Sequence, residues 1–391
     1  MSKKDKDKKK MAAWKKALIT ILALLLVLAG SLFAVVWTTL NKINRVNPDT
    51  IEYESRTDIN NNGSGDNSGN SGNSGNSSDD SDGEYNGYFE DIIIIGYDEN
   101  GKPIYDLNDA DVDPSEDTIK SEDVEWENEE LSEEEEKQRE KEESNVVNIL
   151  LIGQDRRPGQ GRQRSDSMMI ASINKSAKTV TITSILRDSY VQIPGYLDNR
   201  VNAAYAYGGM KLLDETIRLN FGIEIDANIE VDFDGFKAII NRLGGVDIAL
   251  KDYEVNYYNS KGHNFVVGYN HLNGDQALMY ARTRYVGRHD IERTQRQRTI
   301  VTTVFNMLKD EDPVTLFGLI NEFFPYLTTD MSNSDIIYYA TLIMGMNLQE
   351  LQTYRIPADG CFRYETIRGK KVTVPDLPAC RRDLRRIIYG S

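Results

Sequence analysis

Residues Ala17 to Leu40 hold no charged side chain, an apolar run of 24 residues. As a helix this run would be about 36 Å long, enough to cross a bilayer with some tilt. Eight lysines precede it: Lys3, Lys4, Lys6, Lys8, Lys9, Lys10, Lys15 and Lys16. The positive-inside rule then keeps residues 1–16 in the cytoplasm as a basic tail and sends everything after Leu40 to the extracytoplasmic side. A cleaved signal peptide is the alternative, but the run is long for one. Its end, Phe33-Ala-Val-Val-Trp37, offers no small-x-small cleavage site. The expectation is one transmembrane anchor over residues 17–40, single-pass in the cell membrane.

The next hundred residues are poor in core-forming side chains. Asn60 to Gly83 is built of imperfect Ser-Gly-Asn repeats, a coil-forming composition. Asp111 to Ser144 is dominated by Glu and Asp, and runs such as Glu133 to Glu136 repel and stay solvated. Residues 41–144 therefore read as a disordered, low-complexity acidic linker. Ile92 to Ile95 and Tyr105 interrupt it, and a small docked strand is expected there. The net charge of −16 argues against a nucleic-acid partner, whose footprint should be basic. A cytoplasmic tail of about 16 residues also has no room for a helix-turn-helix.

Folding patterns begin at Asn145. Val146 to Ile152 is continuously apolar, as a strand covered on both faces should be. Strands are expected at Met168 to Asn174, Thr179 to Ile185, Ile229 to Val231, Val246 to Leu250 and Leu351 to Ile356. Helical spacing covers Met210 to Phe221, Phe233 to Arg242, Gly274 to Tyr280, Ile291 to Leu308, Val314 to Phe323 and Ser334 to Met344. Interspersed strands and helices imply an α/β domain over 145–391. Its mixed central sheet would be sandwiched between helices in three layers, α/β/α. The apolar faces of the helices from Met210, from Phe233 and from Ile300 are candidates for a lipid pocket, or for ordinary core.

The chemistry concentrates in arginines. Tyr280 to Arg298 carries Arg282 and Arg284, two apart, and then Arg293 and Gln297, four apart and so on one helix face. Planar guanidinium groups grip phosphate oxygens bidentately, so such a cluster suits a phosphate or pyrophosphate. Two acidic motifs come earlier, Gly153-Gln-Asp-Arg-Arg157 and Arg164-Ser-Asp-Ser-Met168, with a turn sequence between them. If their strands form a hairpin, Asp155 and Asp166 return to one edge of the sheet. Two carboxylates plus diphosphate oxygens make an ordinary Mg²⁺ environment. Arg187 follows another apolar strand and lies at the same edge. The chain has only three histidines, His263, His271 and His289, with no zinc-type spacing and few candidates for a Ser-His-Asp base.

Together these segments resemble the LytR-CpsA-Psr family. The likeness rests on Asn148 to Arg157, Arg164 to Met169, Ser184 to Asp188, Arg200 to Gly209, Leu243 to Asp247, and Tyr280 to Arg284 through Gln297. One departure is Leu186, where the family often has proline. The resemblance implies an extracytoplasmic phosphotransferase moving a glycopolymer, such as teichoic acid or capsule, from an undecaprenyl pyrophosphate carrier to a peptidoglycan hydroxyl. It implies that Asp155 and Asp166 hold Mg²⁺ and that Arg187, Arg282, Arg284 and Arg293 clamp the pyrophosphate. Arg157, Arg164 and Gln297 would bind substrate alongside. Asp290 either accepts the hydroxyl proton or orients an arginine. The same site with water as acceptor would make a polyprenyl pyrophosphate hydrolase. A non-catalytic, membrane-anchored wall-binding or regulatory protein is the third reading.

Cys361 and Cys380 are the chain's two cysteines. The expected topology puts both outside the cytosol, Lys370 to Val374 between them reads as a strand, and a disulfide is expected.

Overall fold

The computed structural model describes residues 37–46, 141–154 and 164–390, with short pieces at 93–97, 103–106, 117–120, 123–124, 126, 137 and 139. Of the expected anchor over residues 17–40, residues 17–36 lie outside the described residues. Among those described, no helix is long and apolar enough to cross a membrane.

A seven-stranded mixed sheet organises the domain. Its strands are β1 (Asn44–Arg45), β2 (Val146–Gln154), β3 (Ser165–Asn174), β4 (Thr179–Ile185), β5 (Ala227–Asp232), β6 (Leu327–Thr329) and β7 (Gln352–Ile356). Their spatial order is β1-β6-β5-β2-β3-β4-β7. The hairpin of β2 and β3 pairs Val146 with Asn174 and Ile152 with Met168, and a bulge lies between Gly153 and Gln154. β5 joins β2 in parallel, and β7 joins β4 in parallel.

Helices α1 (Val201–Phe221), α2 (Phe233–Arg242), α3 (Asp252–Ser260), α4 (Gly274–Arg282), α5 (Asp290–Leu308), α6 (Pro313–Phe323), α7 (Asn333–Met346) and α8 (Leu377–Ile388) follow in chain order. The run in β2 is continuously apolar because its two faces enter different cores. Val146, Leu150 and Ile152 pack with Leu212, Leu213 and Ile217 of α1 and Leu384 of α8. Val147, Ile149 and Leu151 face Val301 of α5 and Ile336, Leu342 and Met346 of α7. Alternation along a strand sends neighbours to opposite faces, so the three-layer arrangement follows. A third cluster joins Ile240 of α2, Val255 of α3, Ala277 of α4 and Ile300 of α5 to the hairpin of Val246–Leu250 and Gly268–Leu272. The three helix faces considered for a lipid pocket thus contribute buried core: Leu213 and Ile217 are fully buried, Ile240 and Ile300 nearly so.

Several expectations need revision. α1 begins nine residues before Met210, at Val201, and bends where Gly208 and Gly209 leave helical geometry. Gly209 has φ 68° and ψ −155°, a conformation glycine adopts without strain. α3, α8 and the strands Gly268–Leu272 and Phe362–Ile367 add elements to those expected from the sequence. Residues 41–144 are not linker throughout. Asn44 and Arg45 extend the central sheet beside β6, with Leu40 and Ile43 buried against Phe324. Val124 and Trp126 pack on Tyr190, Val372 and Val374, and Arg385 binds Glu142 at 2.6 Å. The apolar interruptions in the acidic run are what bury there. Ile93–Tyr97 pairs with Pro103–Asp106 in a separate hairpin.

The expected disulfide is absent. Phe362–Ile367 and Lys370–Pro375 do form the hairpin that brings the ends together, but both cysteines are thiols. Cys380 points from α8 into the core, and burial first, then neighbouring Cys361, pushes its pKa up to about 12. A thiol this far from ionisation attacks poorly.

Candidate active site

Strands β2, β4, β5 and β7 all run in one direction, and β3 runs against them. One edge of the sheet therefore collects the ends of four strands and the start of β3. In α/β sheets that edge is where ligands bind. It carries Asp166 on β3 and Arg187 and Asp188 just past β4. The Leu186 N–H donates to the Ile356 carbonyl at 3.0 Å, which fixes the turn that presents Arg187.

Three guanidinium groups converge on one carboxylate oxygen. Arg187 Nη1 bonds Asp166 Oδ1, Arg284 Nη2 lies 3.5 Å from it, and Arg293 Nη1 3.7 Å. Asp290, the first residue of α5, bridges the same arginines: 3.2 Å to Arg293 Nε, 3.3 Å to Arg187 Nε and 3.8 Å to Arg284 Nε. Asp188 accepts a further charge contact from Arg187 at 3.6 Å and one from Arg200 at 3.5 Å. Arg293 is 2% exposed, and its Nη2 makes no hydrogen bond among the described residues.

Burial and charge compete at each group. Burial would raise the Asp166 carboxyl, but Arg187, Arg293 and Arg284 outweigh it and hold the pKa at about 2. Burial likewise opposes ionisation of Asp290, and Arg293 and Arg187 still carry it well below the usual carboxylate range. Asp188 goes the other way: burial raises it, and the nearby Asp290 charge adds to that. Burial lowers Arg293 to about 10, so it remains cationic at neutral pH.

The remaining expected site residues are distributed as follows. Asp155 and Arg157 lie outside the described residues. Arg164 stands half-buried immediately before β3. Arg282, in the last turn of α4, is exposed and lies over the Phe233 ring at 4.5 Å. Phe233 starts α2 where β5 ends, so Arg282 is at the same edge without joining the ion pairs around Asp166. Gln297 reaches the Ala281 carbonyl at 3.5 Å.

Asp188, Arg200 and Arg296 were not singled out by the sequence. Asp188 had a signal, because it adjoins Arg187. Arg200 is brought to it by the short antiparallel pair Tyr190–Val191 and Asn199–Arg200. Arg296, 2% exposed, has none: its partner Glu254, at 2.7 Å, is 42 residues away.

The chain is similar to several known proteins. The polyisoprenyl-teichoic acid–peptidoglycan teichoic acid transferase TagU of Bacillus mycoides strain KBAB4 is 39% identical over 163 residues, 41% of this chain and 52% of that protein. The regulatory protein MsrR of Staphylococcus aureus strain Mu50 is 37% identical over 161 residues, 40% of this chain and 48% of its own. The chain thus spans about half the length of these curated relatives. The crystal structure of B. subtilis TagV aligns with TM-score 0.51 and 27% identity over 62% of this chain and 97% of that one. The structure of TagT bound to LI-WTA has TM-score 0.52 and 24% identity over 68% and 95%, a likeness of fold. A model of the LytR_cpsA_psr family matches residues 115–378, well over half the chain, and the chain belongs to that family.

Proposed function

We propose that this chain is a glycopolymer phosphotransferase. It would take a polymer such as teichoic acid or capsule from an undecaprenyl pyrophosphate carrier and join it, through phosphate, to a peptidoglycan hydroxyl. The observation that carries this is the cage of Arg187, Arg284 and Arg293 around Asp166 and Asp290, at the strand edge where ligands bind. The names of the relatives, teichoic acid transferases among them, support the choice of donor and acceptor.

The acceptor oxygen would attack the phosphorus that bears the polymer. The bond from that phosphorus to the bridging oxygen breaks, and undecaprenyl phosphate leaves with the electron pair. Such transfers depend mostly on positioning and on neutralising charge on the phosphoryl oxygens. The guanidinium groups supply both, with Arg293 Nη2 as a donor that meets no protein acceptor among the described residues. Arg282, Arg157, Arg164 and Gln297 would hold the outer oxygens and the first sugar. Asp290 serves best as the group that orients the arginines, because a carboxyl so depressed is a weak base. Asp188, raised by burial, is the stronger base of the two.

Asp166 fits a hard cation. All three of its arginine contacts fall on Oδ1, which leaves Oδ2 to face a metal. Among the described residues no group of three or more protein ligands would enclose an ion. That suits Mg²⁺, which takes one or two carboxylates, here Asp166 with Asp155, and completes its shell with water and phosphate. When bound, the ion would neutralise charge on the leaving phosphate.

The test uses the full-length protein in detergent with a lipid-linked donor and peptidoglycan. EDTA should lower transfer at least tenfold and added Mg²⁺ should restore it; unchanged transfer in EDTA removes the metal. Donor consumed without labelled peptidoglycan would make the protein a pyrophosphate hydrolase.

A further inference from the structure

A second charged cluster lies beside the arginine cage, outside the ion pairs of Asp166. Arg288 grips Asp359 with both terminal nitrogens, at 2.8 and 3.1 Å. Arg355 takes the same carboxylate at 2.7 Å and lies 5.8 Å over the Phe362 ring. Phe362 packs edge-on against Tyr364 with ring centroids 5.3 Å apart. Tyr364 itself is 68% exposed. Beneath them Arg298 is 4% exposed, and its Nε and Nη1 make no hydrogen bond among the described residues. Burial first, then the nearby charge of Arg355, lowers its pKa to about 10. Two guanidinium groups therefore share one carboxylate with a third buried near Arg355, an excess of positive charge on a chain whose net charge is −16.

Backbone geometry ties this cluster to the site. Arg355 is on β7, and the next carbonyl, of Ile356, accepts the N–H of Leu186, one residue before Arg187. Arg284 and Arg288 share the segment between α4 and α5. An exposed tyrosine ring offers a flat apolar face to the C–H side of a pyranose. A fixed Arg-Asp-Arg array offers planar donors and an acceptor to its hydroxyls, with surplus charge for a carboxylate. We propose that Tyr364, Phe362, Arg288, Arg355 and Asp359, underlain by Arg298, form a subsite for the acceptor: an amino-sugar glycan bearing carboxylates, held with a hydroxyl toward the arginine cage. This rests on the phosphotransferase reading and adds the place where the acceptor lies.

The test titrates full-length protein in detergent with three probes: soluble peptidoglycan disaccharide-peptides, the neutral sugar chitotetraose, and inorganic phosphate. Wild type should bind the disaccharide-peptide more tightly than chitotetraose. Tyr364→Ala and Arg288→Ala change exposed side chains, so they should fold normally. Each should weaken disaccharide-peptide binding at least fivefold and leave the affinity for a polyprenyl pyrophosphate unchanged. Wild-type-like binding by both variants overturns the subsite, as does failure of wild type to bind the glycan. Loss of donor affinity instead would place the donor here and overturn the acceptor assignment. Complete displacement of the glycan by millimolar phosphate would reduce the cluster to a simple anion site and overturn it too. Turnover of the donor by wild type, measured in parallel, reports separately on the phosphotransferase reading.

Discussion

Replacing Arg293 by lysine should lower transfer at least tenfold, a loss of about 1.4 kcal/mol of transition-state stabilisation, while the protein stays folded. Arg293 touches Asp166 and Asp290 through different nitrogens, Nη1 and Nε, and still has Nη2 without an acceptor among the described residues. Lysine keeps the charge but presents it at one point, so it cannot span both carboxylates and reach a third oxygen. A charge-assisted hydrogen bond from Nη2 to a phosphoryl oxygen would be worth roughly 1.5–3 kcal/mol, which puts the upper end at about 100-fold. Arg282→Lys should cost less, because Arg282 is exposed and its stacking over the Phe233 ring also tolerates an ammonium. Initial rates of glycopolymer transfer, with thermal melts of each variant, decide the matter. Equal rates for Arg293→Lys and wild type would show that the fork plays no part.

Glu254→Ala should destabilise the domain by about 3–5 kcal/mol, the usual result of stripping one partner from a buried ion pair. Arg296 and Glu254 expose 2% and 4% of their side chains. Glu254 Oε2 also accepts the Lys251 N–H at 2.9 Å, closing the first turn of α3. Arg296 donates to the Thr283 carbonyl at 2.9 Å and the Val286 carbonyl at 3.3 Å. It therefore pins the turn that carries Arg284 into the cage. The melting temperature should fall by about 6–20 °C for a domain of this size. Transfer by the folded fraction should fall as well, because Arg284 loses its support. Replacing both residues by methionine should cost less than either single change, since no charge is then left buried alone. A single-variant loss below about 1 kcal/mol, measured in urea, would contradict this.

How far sequence carried the description differs element by element. Thr179–Ile185, Phe233–Arg242 and Val246–Leu250 end at the residues their patterns indicate. Their boundaries are marked locally: Asp232 caps α2 by accepting the Gly235 N–H, and Gly244 and Gly245 turn the chain into the next strand with φ 84° and 100°. α8 is legible in its pattern, for Leu377, Cys380, Leu384 and Ile388 keep a helical period and are buried together. α3 was not legible. Asp-Tyr-Glu-Val-Asn-Tyr-Tyr-Asn-Ser has little contrast between faces, and one of its main supports is a contact to Arg296, far along the chain. In the site, Asp166, Arg187, Arg284, Asp290 and Arg293 could be gathered in advance because each lies at a strand end or in the arginine run. The pairing of Asp188 with Arg200 could not, because it depends on how the seven residues between Val191 and Asn199 fold back. The disulfide failed for a similar reason: spacing says that two cysteines can approach, and only packing says that one of them faces the core.

The position of β1 changes what the acidic stretch does mechanically. Asn44 and Arg45 are hydrogen-bonded into the sheet beside β6, and the chain is back on the domain at Thr118, whose N–H bonds the Thr366 carbonyl at 2.9 Å. A segment clamped at both ends on one body cannot act as a leash, whatever its length. Its closure cost grows only with the logarithm of its length, so insertions or deletions there are cheap. If residues 17–36 cross a bilayer, the sheet begins eight residues beyond them. The standoff of the arginine cage from the membrane would then be set by those eight residues. Residues 47–116 would be free to vary in length without moving the cage toward or away from the lipid headgroups.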